Sequence, residues 1–480
     1  MPSTTLIRRL FCLSTLLAFA SLAAPNVLII LLDDMGYGDP GCYNSQSKIP
    51  TPNIDRLASE GMRFTDAHAA GPLCHVSRYG LLTGEYPFRT TFRWNTTPVI
   101  KDGQTTIASL LRDQGYHTAM VGKWHLGFTQ KANDDYLNPL PGGPVDRGFD
   151  SYFGIRASTD IPPYFYIRGN KAVMPPTNRI AANRSDGWTP IQGKFWRAGG
   201  IAPDLDLETV LPRFTQEAQS VITEHVASDS AKPLMLYLAY PAPHTPWLPS
   251  AEFEGTTKAG LYGDFMHMVD THVGKVLGTL ADAGMAKDTL VIVTADNGPV
   301  WYDKDVAKYQ HDCSGPLRGM KADAWENGHR MPFVVRWPGK VAAASISDQV
   351  ICFTDIMATF ADALQVELPD DAGPDSFSFL PVLLGKQPAD KAIRGPIVMA
   401  AGGGTRLIRS GDWKYINALG SGGFSKPSRV KPEPGGPTGQ LYNLRDDIGE
   451  THNLFQKHPE RVAEMQAALA KIIAAKQTRP

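Results

Sequence analysis

The sequence predicts an α/β protein: a three-layer sandwich with helices on both faces of a mostly parallel β-sheet, followed by a smaller antiparallel α+β domain. Continuous apolar runs of strand length recur along the chain, as strands buried on both faces require. Segments with helical periodicity lie between those runs, and this alternation is the pattern of an α/β fold. Near residue 369 the composition changes to a Pro/Gly/Asp-rich stretch, which indicates a second unit.

The predicted strands and helices of the large domain alternate along the chain. The strands, in chain order, are NVLIILLDD, HTAMVG, PLMLYLAY, LVIVTADNG and MPFVVRW. NIDRLASEG and TIASLLRDQG are typical of short helices, and their last residues, Gly61 and Gly115, occupy the position that a left-handed C-cap favours. Longer helices are predicted at residues 210–227 and 261–283.

The small domain is predicted from a change of pattern. TRLIRSGDWKYINAL contains two strand-like runs around a Gly-Asp turn, and an amphipathic helix follows at residues 459–476. We therefore assign residues 24–368 to the large domain and residues 369–480 to the small one.

The first 23 residues predict a signal peptide. Arg8 and Arg9 precede an apolar run, small residues follow it, and cleavage is expected after Ala23. The run is shorter than the ~20 residues that a membrane span needs. We therefore expect an exported protein, periplasmic or secreted, with no stable membrane span.

Charge and cysteine content exclude two classes of protein. The formal net charge of -1 gives no electrostatic support for a nucleic-acid partner. The four cysteines after the signal peptide are too few for a disulfide scaffold, although export permits a bridge between some of them. They are Cys42, Cys74, Cys313 and Cys352.

Acidic and amide side chains follow two predicted strands. Asp33 and Asp34 follow the first strand, and Asp296 and Asn297 follow LVIVTA. In a parallel sheet the carboxyl ends of the strands form the ligand site. Buried adjacent carboxylates are costly unless a cation compensates their charge. Four oxygen ligands favour a hard cation, Ca²⁺ or Mg²⁺, over zinc.

Basic side chains follow other predicted strands. Lys123 and His125 follow HTAMVG, and His244 follows PLMLYLAY in PAPHTPW. Lys321 lies in LRGMKADAWENGHR. Two lysines, two histidines and a cation in one pocket predict a site for a tetrahedral oxyanion, either phosphate or sulfate.

These motifs resemble those of the formylglycine-dependent, calcium-binding sulfatases of the alkaline phosphatase superfamily. The matching segments, in the family's order, are NVLIILLDDMGYGD, PLCHVSRYGLLTG, GYHTAMVGKWHLG, PAPHTPW, TADNG, LRGMKADAWENGHR and LYNLRDDIGE. DIPPYFYI and FWRAGGIAPD resemble the branch of arylsulfatase A and N-acetylgalactosamine-6-sulfatase. The resemblance covers nearly all of the mature chain and implies an alkaline-phosphatase-like fold.

The resemblance also implies a cofactor and a modified residue. Cys74 would be oxidised by a formylglycine-generating enzyme to formylglycine (3-oxoalanine), whose hydrate is the nucleophile. One Ca²⁺ would be bound by the formylglycine at position 74 and by Asp33, Asp34, Asp296 and Asn297. Arg78 would hold the hydrate and the metal ligands in place.

The remaining site residues take their roles from the same resemblance. Lys123 and Lys321 would neutralise the sulfate charge, and His244 would protonate the leaving alcohol. His125 would take the proton of the second hydroxyl, which expels sulfate. Ser158, in GIRASTD, matches a sulfate-binding serine. The implied substrate is an organic sulfate ester, most naturally a sulfated carbohydrate for an exported enzyme.

One position departs from the family's maturation signal, which reads cysteine, any residue, proline or alanine, any residue, arginine. Val76 stands where proline is usual. This departure leaves open a non-catalytic binder of sulfated glycans whose Cys74 is never converted. A second alternative is a phosphomonoester or phosphonate hydrolase of the same superfamily, although a two-zinc phosphatase needs further Asp and His ligands and usually a Ser or Thr nucleophile. Residues 161–170 and 301–313 are expected to line the mouth, where His311 could contact a sugar or lie in a surface loop.

Overall fold

The computed structural model describes residues 24–93, 95, 97–129, 136–228 and 230–479. The predicted signal peptide, residues 1–23, lies outside the described residues. Within those described ranges, no helix combines the length and the apolar character that crossing a membrane requires.

The large domain is built on an eleven-stranded sheet. In the part of the chain that the structure describes, the strands are β1 (Asn26–Asp33), β2 (Met62–His68), β3 (His117–Lys123), β4 (Ser151–Ile155), β5 (Ile167–Arg168), β6 (Lys171–Ala172), β7 (Asn178–Ile180), β8 (Gly199–Ile201), β9 (Leu234–Pro243), β10 (Thr289–Ala295), β11 (Arg330–Arg336), β12 (Ser345–Ser347), β13 (Ile351–Cys352), β14 (Ile397–Ala400), β15 (Arg406–Ser410), β16 (Trp413–Ile416) and β17 (Gln440–Asn443). The order across the main sheet is β12-β2-β11-β10-β1-β9-β3-β4-β5-β6, and β13 pairs with β2.

The central strands run parallel, as the apolar sequence runs predict. β1 pairs in parallel with β10 on one side and with β9 on the other, and β3 pairs in parallel with β9 and β4. Every residue of β9 is buried, because helices cover both faces of the sheet. The predicted fold class is therefore confirmed. The run MPFVVRW is an exception, since it forms β11, which is antiparallel to β10.

Two layers of helices enclose the sheet. The helices of the described residues are α1 (Pro52–Glu60), α2 (Cys74–Thr83), α3 (Ile107–Asp113), α4 (Val210–Ala227), α5 (Gly260–Asp282), α6 (Asp303–Tyr309), α7 (Ile356–Leu364), α8 (Leu380–Leu383) and α9 (Pro459–Ala474). α1, α4 and α5 pack together, and α4 and α5 cover β9, whereas α2, α3 and α7 form a separate group with α3 against β3. The two long helices therefore lie where the sequence predicts them.

The two glycines predicted as left-handed caps differ in the structure. Gly115, shortly after α3, has φ +88° and takes the left-handed conformation. Gly61, after α1, has φ -144°, so the prediction is wrong there. A Cβ atom at Gly61 would lie 2.2 Å from the carbonyl oxygen of Val335 in β11. Glycine is needed at position 61 because β11 passes close to it.

The C-terminal part of the chain forms a four-stranded antiparallel sheet in the order β14-β15-β16-β17. β15 and β16 are the predicted pair around the Gly-Asp turn, and α9 packs against both. Lys414 of β16 is buried between Glu326 and Glu450, at 3.0 Å and 2.9 Å from their carboxylates. This buried ion pair ties the small sheet to the segment that follows Lys321. The boundary at residue 369 stays a prediction.

All four cysteines of the described chain are free thiols. The disulfide bridge that the sequence left possible is therefore not formed. Cys42 is half-buried, and the other three thiols are buried. Cys74 is the one that lies at the first position of a helix, at the start of α2.

Candidate active site

Four oxygen-bearing side chains meet at the carboxyl ends of β1 and β10. The parallel register pairs Leu32 with Ala295, so the residues that follow in the two strands lie side by side. These residues are Asp33, Asp34, Asp296 and Asn297, and all four are buried. The backbone N–H of Asp34 donates to Asp296 Oδ1 at 3.3 Å, which joins the two strand ends.

Arg78, one turn into α2, holds two of these carboxylates. Its Nε and Nη2 donate to Asp296 Oδ2 at 3.0 Å and 2.7 Å, and Nη2 also donates to Asp33 Oδ2 at 2.9 Å. Its Nη1 donates to the carbonyl oxygen of Lys123 at 2.8 Å. Burial acts to lower the pKa of the guanidinium, but the carboxylates of Asp296 and Asp33 raise it above its usual value. Arg78 therefore stays charged and fixes the strand ends relative to α2.

Two lysines complete the charge balance of the pocket. Lys123 Nζ contacts Asp33 Oδ2 and donates to Ser158 Oγ at 2.6 Å. Lys321 Nζ donates to Asp34 Oδ1 at 2.6 Å. Both ammonium groups are buried and point into the same pocket, so each can also contact an anion that enters it.

His244, which directly follows β9, lies near the carboxylate of Asp34. Its Nδ1 donates to the carbonyl oxygen of Thr245 at 2.6 Å, which fixes the orientation of the ring. Its Nε2 lies 3.7 Å from Asp34 Oδ2. The side chain is 11% exposed, so the Nε2 edge can be reached by a ligand.

Cys74 lies at the N-terminus of α2, where helix N–H groups lack intrahelical partners and the dipole favours a negative charge. Its Sγ is 3.3 Å from His125 Nδ1. Burial acts to raise the pKa of the thiol, but the ammonium charges of Lys123 and Lys321 and the hydrogen bond with His125 lower it well below its usual value. Burial lowers the pKa of His125 to about 3, so this imidazole is neutral. A thiol of depressed pKa in a cationic pocket is typical of a reactive cysteine.

The carboxylate cluster fits a hard cation. Asp33 Oδ1 and Asn297 Oδ1 are buried acceptors that, among the described residues, receive no hydrogen bond. Burial and the neighbouring Asp33 carboxylate raise the pKa of Asp296, which means that the two acids resist ionising together. Sγ of Cys74 and one oxygen each of Asp33 and Asp296 lie within 4.8 Å of one another. A cation with oxygen ligands would satisfy the two acceptors and relieve the repulsion.

Three residues beside the pocket have left-handed backbone conformations. They are Asp34 (φ +67°), His125 (φ +61°) and Ala322 (φ +72°). Such non-glycine conformations cost about 1–3 kcal/mol each and cluster at functional sites. Asp34 and His125 are pocket residues themselves, and Ala322 follows Lys321, so the chain turns at or next to a pocket side chain in each case.

The structure thus brings together all of the site residues that the sequence singled out. Ser158, the weakest match, lies beside Lys123. The expectation for His311 is wrong: it is buried, and its Nε2 is 2.9 Å from Asp39 Oδ1. It therefore neither contacts a ligand at the mouth nor lies on the surface.

The support of Asp34 is the part of the site that sequence reasoning missed. Tyr262 OH donates to Asp39 Oδ2 and lies 3.3 Å from the carbonyl oxygen of Asp34. Asp39 Oδ2 also accepts from the N–H of Gly36 at 2.7 Å. The signal was present in MGYGD, because a carboxylate so close to the first strand end needs a buried partner.

Comparisons with known proteins agree with this geometry. A family model described as Sulfatase matches residues 25–366. N-acetylgalactosamine-6-O-sulfatase of Bacteroides thetaiotaomicron is 33% identical over 487 residues, covering 93% of this chain and 93% of the relative. Human N-acetylgalactosamine-6-sulfatase is 33% identical over 392 residues, covering 78% of this chain and 70% of its own. Human steryl-sulfatase is 31% identical over 416 residues, covering 75% of this chain and 70% of its own.

Solved structures give the same result. One described under the metabolism of multiple glycosaminoglycans by Bacteroides thetaiotaomicron superposes with a TM-score of 0.82 and 31% identity, covering 94% of this chain and 100% of the other. A sulfatase from Pseudoalteromonas sp. superposes with a TM-score of 0.71 and 25% identity, covering 95% of this chain and 92% of the other. The family model, the relatives and the fold agree with the pocket, and the chain belongs to the sulfatase family, enzymes that hydrolyse sulfate esters.

Proposed function

We propose that this chain removes sulfate from a sulfated glycan, with a 6-O-sulfated N-acetylgalactosamine unit as the first candidate substrate. The observation that carries the proposal is the buried pocket in which Arg78, Lys123 and Lys321 pair with three carboxylates beside Cys74. The sugar and the sulfate position are suggested by the names of the relatives that align with nearly all of the chain or most of it.

The proposal includes conversion of Cys74 to formylglycine by a formylglycine-generating enzyme. The hydrate of that aldehyde supplies one hydroxyl that attacks sulfur and a second that allows sulfate to be expelled. The position supports this assignment, since Cys74 and Arg78 keep the spacing of the family signal and Cys74 lies at the start of a helix. Export through the signal peptide at residues 1–23 belongs to the same proposal.

One Ca²⁺ belongs to the proposed site. Asp33, Asp34, Asp296 and Asn297 would hold it, together with the modified residue 74. When bound, the cation supplies a Lewis acid that polarises the sulfuryl oxygens. Arg78 orients Asp33 and Asp296 for that task through its three hydrogen bonds to their carboxylates.

Lys123 and Lys321 carry the electrostatic part of the proposal. Their ammonium groups can donate to the sulfuryl oxygens, where negative charge is spread in the transition state. Ser158, at 2.6 Å from Lys123 Nζ, holds that ammonium in position. The donors are fixed before substrate arrives, so little reorganisation is needed during the reaction.

The two histidines would divide the proton transfers. Hydrolysis converts R–O–SO₃⁻ and water to ROH, sulfate and one proton. His244 acts as the imidazolium: Nδ1–H stays on the carbonyl oxygen of Thr245, Nε2–H passes its proton to the leaving oxygen as the S–O bond breaks, and a neutral imidazole remains. His125, neutral because burial lowers its pKa to about 3, accepts a proton from residue 74. Its Nδ1 already lies 3.3 Å from the side-chain atom of that residue.

A paired-substrate assay tests the proposal. We expect hydrolysis of 4-nitrophenyl sulfate in strong preference to 4-nitrophenyl phosphate, and release of sulfate from N-acetylgalactosamine 6-sulfate in preference to its 4-sulfate and to N-acetylglucosamine 6-sulfate. Cys74→Ala is the inactive control. Preferential phosphate hydrolysis would indicate a phosphomonoesterase. Binding of sulfated sugars without turnover, with Cys74 unmodified, would indicate a non-catalytic binder.

A further inference from the structure

A second group of metal-ligating side chains meets at Cys74. Its Sγ, one ring nitrogen of His75 and one ring nitrogen of His125 all lie within 4.8 Å of one another. The Cys74 Sγ to His125 Nδ1 distance is 3.3 Å, and the two imidazole centroids are 5.5 Å apart. Cys74 and His125 are buried, whereas His75 is half-buried at the edge of the pocket. The proposed hydrolysis assigns no role to His75.

These distances suit a tetrahedral site for a borderline-soft cation. Zn–S and Zn–N bonds of about 2.3 Å and 2.0–2.1 Å at tetrahedral angles place a sulfur and a nitrogen ligand about 3.5–3.6 Å apart and two nitrogen ligands about 3.3–3.4 Å apart. The distance of 3.3 Å from Cys74 Sγ to His125 Nδ1 is within a few tenths of an ångström of the sulfur–nitrogen value. A ring nitrogen of His75 lies within 4.8 Å of both atoms and would complete the set by moving closer to them. Three such ligands leave a fourth position for water, as in many open zinc sites.

We propose that the thiol form of this protein binds one Zn²⁺ through Cys74, His75 and His125. Binding transfers the thiol proton to solvent and leaves both imidazoles neutral, each with one nitrogen on the metal. This ligand set shares Cys74 with the group formed by Asp33 and Asp296, but its other two ligands are imidazoles, which together with a thiolate select zinc, whereas carboxylates select calcium.

The charges around the thiol allow a divalent cation there. Lys123 and Lys321 are the ammonium groups near Cys74, and each is paired with a carboxylate, of Asp33 and Asp34 respectively. Their positive charge is therefore compensated before zinc binds. The thiolate formed on binding compensates half of the charge of the ion.

The site exists only while residue 74 carries sulfur. Formylglycine has no sulfur, so conversion removes the one anionic ligand and leaves only the two imidazoles of His75 and His125. Zinc binding would therefore mark the unconverted molecules and shield their thiol. The inference needs only the cysteine that the sequence encodes, so it stands or falls independently of the proposed sulfatase chemistry.

Cobalt(II) titration of the full chain tests the site. The protein is made by cell-free translation from purified components, which lack a converting enzyme, and intact mass verifies the thiol. Co²⁺ is then added, and the thiolate-to-cobalt charge-transfer band and the visible ligand-field bands are recorded. We expect both to saturate at one equivalent and to disappear on addition of one equivalent of Zn²⁺. Cobalt bound by oxygen atoms alone would give no charge-transfer band, and cobalt bound by Cys74 with Asp33 and Asp296 would give a band that does not depend on His75.

Three variants complete the test. Cys74→Ser should abolish the charge-transfer band although Cys42, Cys313 and Cys352 remain. His75→Ser should weaken binding by at least about 10- to 100-fold, the loss typical even of an outer-shell partner. His267→Ser is the matched control, because both histidines are half-buried and stack edge-on against a phenylalanine, at 5.4 Å for His75 and 5.3 Å for His267. A band that is absent from the unmodified chain, or unchanged in affinity in His75→Ser, would overturn the proposal.

Discussion

Replacement of His244 by glutamine tests which group protonates the leaving alcohol. Nδ1 of His244 donates to Thr245 O at 2.6 Å, so Nε2 is the nitrogen that can transfer a proton into the pocket. Nε2 is 3.7 Å from Asp34 Oδ2, which is beyond hydrogen-bond length. Glutamine therefore removes one hydrogen bond at most, which costs about 0.5–1.5 kcal/mol of folding stability. The fold and the carboxylate cluster should survive the change.

The expected loss of activity depends on the leaving group. General acid catalysis contributes about 10²- to 10⁴-fold, which corresponds to about 2.7–5.4 kcal/mol of transition-state stabilisation. A sugar alkoxide needs the full contribution, because it is a poor leaving group without a proton. A nitrophenolate leaves unprotonated. We therefore expect kcat/KM for a sulfated sugar to fall by about 10²- to 10⁴-fold, and kcat/KM for 4-nitrophenyl sulfate to change little.

The assay compares both substrates on the same preparations. Rates are normalised to the formylglycine content measured by mass spectrometry, so that incomplete maturation does not imitate a catalytic defect. His267→Gln, a substitution at a half-buried histidine in α5, is the control and should leave both rates unchanged. Equal losses on the two substrates in His244→Gln would refute the general-acid assignment.

Three further predictions concern the cation, the ammonium groups and maturation. Chelation by EDTA should abolish hydrolysis and Ca²⁺ should restore it, while Asp33→Ala stays inactive at any Ca²⁺ concentration; full activity in a preparation shown metal-free by elemental analysis would contradict this. Lys321→Met should lower kcat by about 10²- to 10³-fold on aryl and sugar substrates alike, since it removes a donor to the sulfuryl group and not to the leaving oxygen; a substrate-dependent loss in steady-state kinetics would argue against that role. Val76→Pro should raise the formylglycine fraction and the specific activity together in a foreign host, because proline preorganises the maturation peptide. The folded protein should tolerate the change, since the N–H of Val76 lies in the first turn of α2 and has no intrahelical acceptor to lose. Mass spectrometry of the tryptic peptide ending at Arg78 measures that fraction. If Cys74 is unmodified even in protein from the native host, the protein is a non-catalytic binder of sulfated glycans.

The oxygen cluster could be predicted from sequence because strand ends in a parallel sheet have few possible positions. A buried apolar run followed by Asp33 and Asp34, and another followed by Asp296 and Asn297, place four polar groups at one edge whenever the two strands are neighbours. The register of β1 with β10 then sets them side by side. No long-range detail beyond strand adjacency is needed.

Other features depend on contacts that no local pattern encodes. The sequence of β11 resembles those of the parallel strands because burial on both faces selects an apolar run whichever direction the strand takes, so its antiparallel direction could not be predicted. The position of His311 is set by Asp39, 272 residues earlier in the chain. Gly61 is required by the passage of β11 near Val335 and not by its own conformation. In each case the decisive partner is distant in sequence.

With a divalent cation bound, the charge of the proposed site would attract an anion and would also distinguish a sulfate ester from a phosphate ester. Arg78, Lys123 and Lys321 balance the carboxylates of the strand ends, so a bound divalent cation leaves the pocket with a net charge of about +2. A sulfate monoester carries one negative charge and leaves positive potential for the charge that develops on the leaving oxygen. A phosphate monoester dianion would neutralise the pocket in the ground state. Such a pocket would stabilise the sulfate transition state more than the bound sulfate ester, whereas it would bind phosphate tightly without a comparable gain in rate.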